Sequence, residues 1–77
     1  MTSAQRAAYF AAGRVTIGRV TTFIKSRRAF KDWFVGKLHG HIVVDRRGHW
    51  KHHTEDAARA AAIWYKRMSA RVAGIAQ

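Results

Sequence analysis

Fifteen Lys and Arg stand against four Asp and Glu in this chain of 77 residues, a formal net charge of +11. Between positions 14 and 51 the basic set is Arg14, Arg19, Lys25, Arg27, Arg28, Lys31, Lys37, Arg46, Arg47 and Lys51, with only Asp32 and Asp45 to oppose it. Guanidinium and ammonium groups at this density can hold phosphates and release their counterions. Phe23, Phe30, Trp33, Phe34 and Trp50 are interleaved with the cations. An exposed ring of this kind stacks on a splayed base, although Phe and Trp are also the natural core of a small domain. Arg46 and Arg47 beside Gly48 read as the apex of a turn, suited to entering a minor groove or clamping a backbone.

Five histidines fall between His39 and His53. Imidazoles so grouped can bind zinc, but a structural site needs four ligands and the chain has no cysteine to complete one. They are expected to act as weak bases that add positive charge as pH falls below about 6.5, making polyanion binding modestly pH-dependent. No metal or other cofactor is expected. Catalysis lacks its parts as well. Glu55 and Asp56 are adjacent and suited to a helix start, and the chain contains neither a cysteine nucleophile nor a phosphate-cradling glycine loop. A His-Asn-His nuclease arrangement cannot be built without asparagine. A non-enzymatic role is expected.

These residues need elements to position them. The stretch from Glu55 to about Val72 is rich in helix formers. Thr54 suits the N-cap, Glu55 and Asp56 the first turn, and Lys66, Arg67 and Arg71 the end near the negative pole of the dipole. Ala57, Ala61, Trp64, Met68 and Val72 make one apolar face, with Arg59 and Lys66 opposite. Ahead of it, residues 41–53 predict a hairpin: His41 to Val44 out, Asp45 to Gly48 as turn, His49 to His53 back. A three-residue loop would set Val44 against Trp50 and His41 against His53, and a two-residue loop would shift the pairing by one. Ser3 to Ala12 predicts a short helix capped by Ser3 and stopped by Gly13. Arg14 to Ile24, dense in Val, Thr, Ile and Phe, predicts a strand. Ser26 to Leu38 is divided: Phe30, Phe34 and Leu38 recur every four residues as on a helix, while Trp33 to Val35 suits a strand. The expected fold is therefore α+β: a short N-terminal helix and a small antiparallel sheet of two or three strands, with a hairpin at about 41–53, packed on a long C-terminal helix at about 55–72.

Length allows one domain, and at this size folding buries only about 60 to 65% of the surface of the extended chain. A composition 48% hydrophobic and 25% charged belongs to a folded domain rather than a disordered tail. No apolar run reaches the roughly 18 residues of a membrane span, and none has the form of a secretory signal. An intracellular protein without integral membrane association is expected. The Ala- and Arg-containing start, with no acid before Asp32, also has some character of an organellar import sequence.

The run Gly48-His49-Trp50-Lys51-His52-His53-Thr54-Glu55-Asp56-Ala57-Ala58-Arg59-Ala60-Ala61 resembles the end of an ethylene-response-factor-type DNA-binding domain, related to the arm-binding modules of phage integrases. The resemblance covers the last third of the chain. It implies a last strand leading through Thr and acidic residues into an Ala-rich helix, and a three-stranded sheet that reads the major groove. The chain departs from that pattern at Lys51-His52, in place of Leu-Gly, and at Ala61-Ala62, in place of Tyr-Asp. The order helix, three strands, helix also resembles a double-stranded-RNA-binding domain, but Glu55-Asp56 replace that family's Lys-Lys pair. The sequence thus points to a small basic protein that binds nucleic acid, DNA ahead of RNA, as a regulator or accessory factor of a phage or mobile element. The alternative is an inhibitor or assembly subunit whose basic face docks an acidic protein or a ribonucleoprotein. A cationic membrane-active peptide is a third reading, and homodimerisation stays open.

Overall fold

The computed structural model describes residues 2–74. The order of elements is α1 (Ser3–Ala11), β1 (Val15–Ile24), a 3₁₀ turn (Lys25–Arg27), β2 (Ala29–Leu38), β3 (His41–Ile42) and α2 (Glu55–Ala73). The three strands form one antiparallel sheet in the order β1-β2-β3, and α2 packs on it, so the fold is α+β as expected.

Each element begins where local chemistry dictates. The cap of α1 is Thr2 rather than Ser3. Gln5 N donates to Thr2 Oγ1 at 3.1 Å and Thr2 N donates to Gln5 Oε1 at 2.8 Å, closing a capping box. A cap at Ser3 would put Arg6 at the reciprocal position, and a guanidinium has no acceptor to offer. Thr54 caps α2 through Ala57 N, with Glu55 and Asp56 in the first turn and Gly74 ending the helix at φ +73°. The region left divided between helix and strand is a strand. β1 and β2 pair along their whole length, from Val15 opposite Leu38 to Ile24 opposite Ala29. The chain reverses through Lys25–Arg28, with Arg28 left-handed at φ +47°.

The expected hairpin at 41–53 does not form as two paired strands. Leu38 instead turns back on itself through His39 and Gly40, both left-handed (φ +52° and +74°), so that His41 pairs with Leu38 and Ile42 with Lys37. Val43 N still reaches Gly36 O, at 3.0 Å. Residues 44–51 then leave the sheet, and the chain returns at His52, which exchanges both backbone bonds with Phe34 (2.9 and 2.8 Å). The edge of β2 was the better partner because it offers a continuous row of backbone groups, against two turn bonds, Asp45 N to His49 O and Gly48 N to Asp45 O, inside the excursion. For the same reason residues 48–53 are not the strand implied by the family resemblance; one bridge at His52 takes its place.

Register sorts the sheet into two faces. Val15, Ile17, Arg19, Thr21 and Phe23 share one with Phe30, Asp32, Phe34, Gly36 and Leu38. This face meets α2: a Cβ at Gly36 would collide with the Ala58 carbonyl oxygen and come within 3.0 Å of Ala62 Cβ. Leu38, Val43 and Ala62 form the buried cluster there, flanked by Phe10, Val15 and Tyr65. The buried stripe of α2 is Ala58, Ala61, Ala62 and Ser69; Ala57 and Val72, expected inside, are exposed. Small side chains face the sheet because Gly36 brings the helix backbone down upon it, and Trp64 and Met68 are left to line the cleft against α1. Lys66, expected on the outer face, is half-buried and donates to Gly13 O at 2.6 Å. Among the described residues no helix is long and apolar enough to cross a membrane.

Gly36→Ala tests this packing. The obstructing atom is main-chain, so helix and sheet must separate, and the expected loss is about 1 to 3 kcal/mol, read as a lower urea midpoint.

Candidate nucleic-acid interface

The second face of the sheet carries Thr16, Gly18, Val20, Thr22 and Ile24 from β1 and Ala29, Lys31, Trp33, Val35 and Lys37 from β2. It lies away from α2 and holds no carboxylate. Trp33 is its centre. The indole donates Nε1–H to Thr22 Oγ1 at 2.8 Å, which fixes the ring on the sheet. The Lys31 ammonium stands 4.8 Å from the ring centroid and that of Lys51 4.6 Å, with the Lys51 ammonium also 5.4 Å from Trp50. The His53 ring lies against Trp33 at 4.7 Å. Trp33, Trp50, Lys51 and His53 line an open cleft of about 450 Å³ at this edge. Lys37 lays its stem along Gly18 beside the fully buried Val35, so its ammonium also belongs to this face. Cation–aromatic contacts hold the Lys31 and Lys51 ammonium groups in place without neutralising them.

Beyond Phe34 the third strand stops, and β1 and β2 continue as a two-stranded arm. Lys25, Arg27 and Arg28, all exposed, form its end. Cross-strand bonds brace the arm: Thr21 Oγ1 to Asp32 Oδ1 at 2.7 Å on one side and the Trp33–Thr22 bond on the other. The molecule is accordingly elongated, with extents of 46 × 24 × 20 Å.

The ten basic residues singled out in sequence therefore occupy five places. Lys31 and Lys51 meet over Trp33, with Lys37 farther along the same face, and Lys25, Arg27 and Arg28 lie at the arm's end. Arg46 and Arg47 lie on the 44–51 excursion, exposed and with no acid partner among the described residues. Arg19 is on the helix side, its guanidinium 5.1 Å from the Phe34 centroid, and Arg14 precedes β1. Asp45 marked a turn in the sequence, but its side-chain bonds were not legible in advance. Its Oδ1 accepts from Arg47 N and His49 N, both at 2.9 Å, and its Oδ2 lies 3.8 and 3.9 Å from His49 and His52 Nδ1. Burial pushes this carboxyl up, but the two backbone donors and the neighbouring histidines outweigh it, holding the pKa below its ordinary value. Asp45 thereby shapes the Arg46-Arg47 turn and leaves both guanidinium groups unopposed.

The histidines separate. His39 is in the β2–β3 turn, stacked on Tyr9 at 4.1 Å with Nε2 2.8 Å from Tyr9 O, rather than sharing a strand face with His41. His52 is buried beside Asp45, its Nε2 without a hydrogen-bond partner. Among the described residues no group of His, Asp and Glu is placed to hold a metal ion. Comparison with family models, curated proteins and solved structures found no match for this chain.

The lowered Asp45 pKa fixes the sign of a pH effect. Its contribution to stability is complete above the ordinary carboxylate range and is lost as pH falls through the lowered value. Asp45→Asn keeps an acceptor for the turn but cannot ionise. Wild type is expected to be the more stable of the two at neutral pH, with the gap closing in acid, as followed by urea denaturation across pH.

Proposed function

We propose that this protein is a double-stranded-DNA-binding module of the regulator or accessory-factor kind, with the open sheet face and the arm as its DNA-contacting surface. The observation that carries the reading is the segregation of charge. Lys31, Lys37 and Lys51 on one face, with Lys25, Arg27 and Arg28 at the end of the same ribbon, form a cationic track without a carboxylate among them. A protein surface so arranged attracts a polyanion at long range and holds it by counterion release.

Shape favours duplex DNA. A two-stranded ribbon fits the B-form major groove, about 12 Å wide, whereas the major groove of A-form RNA is too deep and narrow for side chains to read. Ethylene-response-factor-type and integrase arm-binding domains, which the last third resembles, also use a three-stranded sheet against DNA, but here the sheet comes from residues 15–42 and only α2 of the resembling stretch keeps their pattern. Phosphate contacts by the six cations of the track position the protein, and Trp33 is the aromatic group placed among them.

Fluorescence anisotropy with a labelled duplex tests this directly. Six phosphate contacts imply a loss of affinity of about a thousandfold between 50 and 200 mM salt. Each of Lys31→Ala, Lys37→Ala and Lys51→Ala should lower the slope of log affinity against log salt by about 0.9, while Arg59→Ala, on the outer face of α2 and paired with Glu55, should leave it unchanged. A flat salt dependence, or copurification with one stoichiometric acidic protein free of nucleic acid, overturns the reading.

A further inference from the structure

The arm carries two aromatic rings that the contacts described so far do not use. Phe23 and Phe30 are direct cross-strand partners, with centroids 5.2 Å apart and planes tilted by 58°. They lie four register pairs beyond Arg19 and Phe34, about 13 Å further along the ribbon, past the start of α2. Phe30 is 74% exposed and Phe23 54%, and Phe30 is the most exposed of the large apolar side chains. A cross-strand aromatic pair stabilises a hairpin, but that role alone does not require so much ring surface to remain in water.

We propose that Phe23 and Phe30 form a wedge that enters an opened base step of DNA and stacks on the exposed base, so that the protein recognises or creates a kink. The proposal rests on the DNA-binding reading above. Apolar side chains on projecting elements act this way in architectural proteins, unstacking a step and bending the duplex. Three features of the arm suit it. Lys25, Arg27 and Arg28 lie just beyond the rings and can hold the phosphates that flank an opened step. Asp32, the only acid on the arm, is engaged by Thr21. Finally, although register puts the rings on the helix-side face, opposite Lys31, no helix covers that face at the arm's end, where Phe30 stays 74% exposed.

Two other occupants fit less well. The cleft between α1 and α2 of a second copy is apolar, but Arg6 lines it, so docking would bring the cationic arm against a further cation. For a membrane the order is reversed: the charged residues are outermost and the rings sit behind them, so an end-on approach would drive cations deepest.

The experiment compares intact duplex with the same duplex carrying a two-base bulge, with 2-aminopurine beside the bulge and a fluorophore pair at the ends. Defects remove the cost of unstacking, so wild type should prefer the bulged duplex by at least about fivefold, the lower end of what base stacking on an aromatic ring contributes. It should also change the 2-aminopurine emission and shorten the end-to-end distance. Phe23→Val/Phe30→Val retains strand-forming residues. It should bind intact duplex with the wild-type salt slope while losing the preference, the emission change and the bend. Phe30→Val alone should lose most of the preference, and the Trp33 indole N–H resonance reports whether each variant keeps its arm. Equal binding of the two duplexes by wild type with silent 2-aminopurine overturns the wedge while leaving the DNA-binding reading intact. No binding to either duplex overturns both. Insertion into vesicles of equal phosphatidylcholine and phosphatidylserine, abolished by the double variant in the absence of any bulge preference, assigns the rings to lipid and also overturns the wedge.

Discussion

The contact of α2 with Gly36 is the constraint on which the rest of the structure depends. Where a side chain would stand, the Ala58 carbonyl and the Ala62 methyl approach the strand, and Ala58, Ala61 and Ala62 complete a smooth helix surface. Close approach lets a small domain without cysteine bury Leu38 and Val43 against Ala62, with Phe10, Val15 and Tyr65 closing the cluster. It also commits α2 to one side of the sheet, with α1 packed against α2. The opposite side is left with no helix, and it is the side on which Trp33 gathers lysines.

The placement of the few acids reinforces that asymmetry. Asp32 accepts from Thr21, Asp45 organises its own turn, and Glu55 lies 3.5 Å from Arg59 within α2. Asp56 shares the first turn of the helix with Glu55, where negative charge suits the dipole. Each carboxylate thus has a local structural role, and none is positioned on the open face. The folded state carries the self-repulsion of an excess of +11. A polyanion that binds only the folded form would stabilise it by mass action, and such a gain weighs more in a domain whose own core is small.

Much of the fold was legible because local signals agreed with one another. Thr54 followed by two acids and an alanine-rich run could only begin a helix, and the β-branched density of β1 matched its final state. Three readings needed the tertiary structure. Phe30, Phe34 and Leu38 repeat every four residues, a spacing compatible with both helix and strand, and only pairing with β1 decides between them. His39-Gly40 makes the two-residue turn that delivers β3 to β2, and a histidine at positive φ is a weak sequence signal. Asp45 and Gly48 did mark a turn, but a turn alone does not say whether its flanks pair with each other or with a third strand. At the candidate interface, composition revealed the cations and not their sorting. Lys31 and Arg19 look equivalent in sequence; register places them on opposite faces.

The arm shows what register adds to composition. Its strands are joined by a complete ladder and by side-chain bonds on both faces, yet beyond Phe34 it has neither a third strand nor a helix to bury it. Two-stranded ribbons are marginally stable in water, so the Thr21–Asp32 and Trp33–Thr22 bonds and the Phe23–Phe30 pair provide its cohesion. Here the pair is held out in solvent and cations surround the turn. Desolvating those rings is favourable, but bringing them against any surface of this strongly cationic molecule is opposed by its charge. In the proposed role, this combination suits a partner with flat apolar groups set within a dense array of anions, the chemical description of stacked bases between phosphate strands.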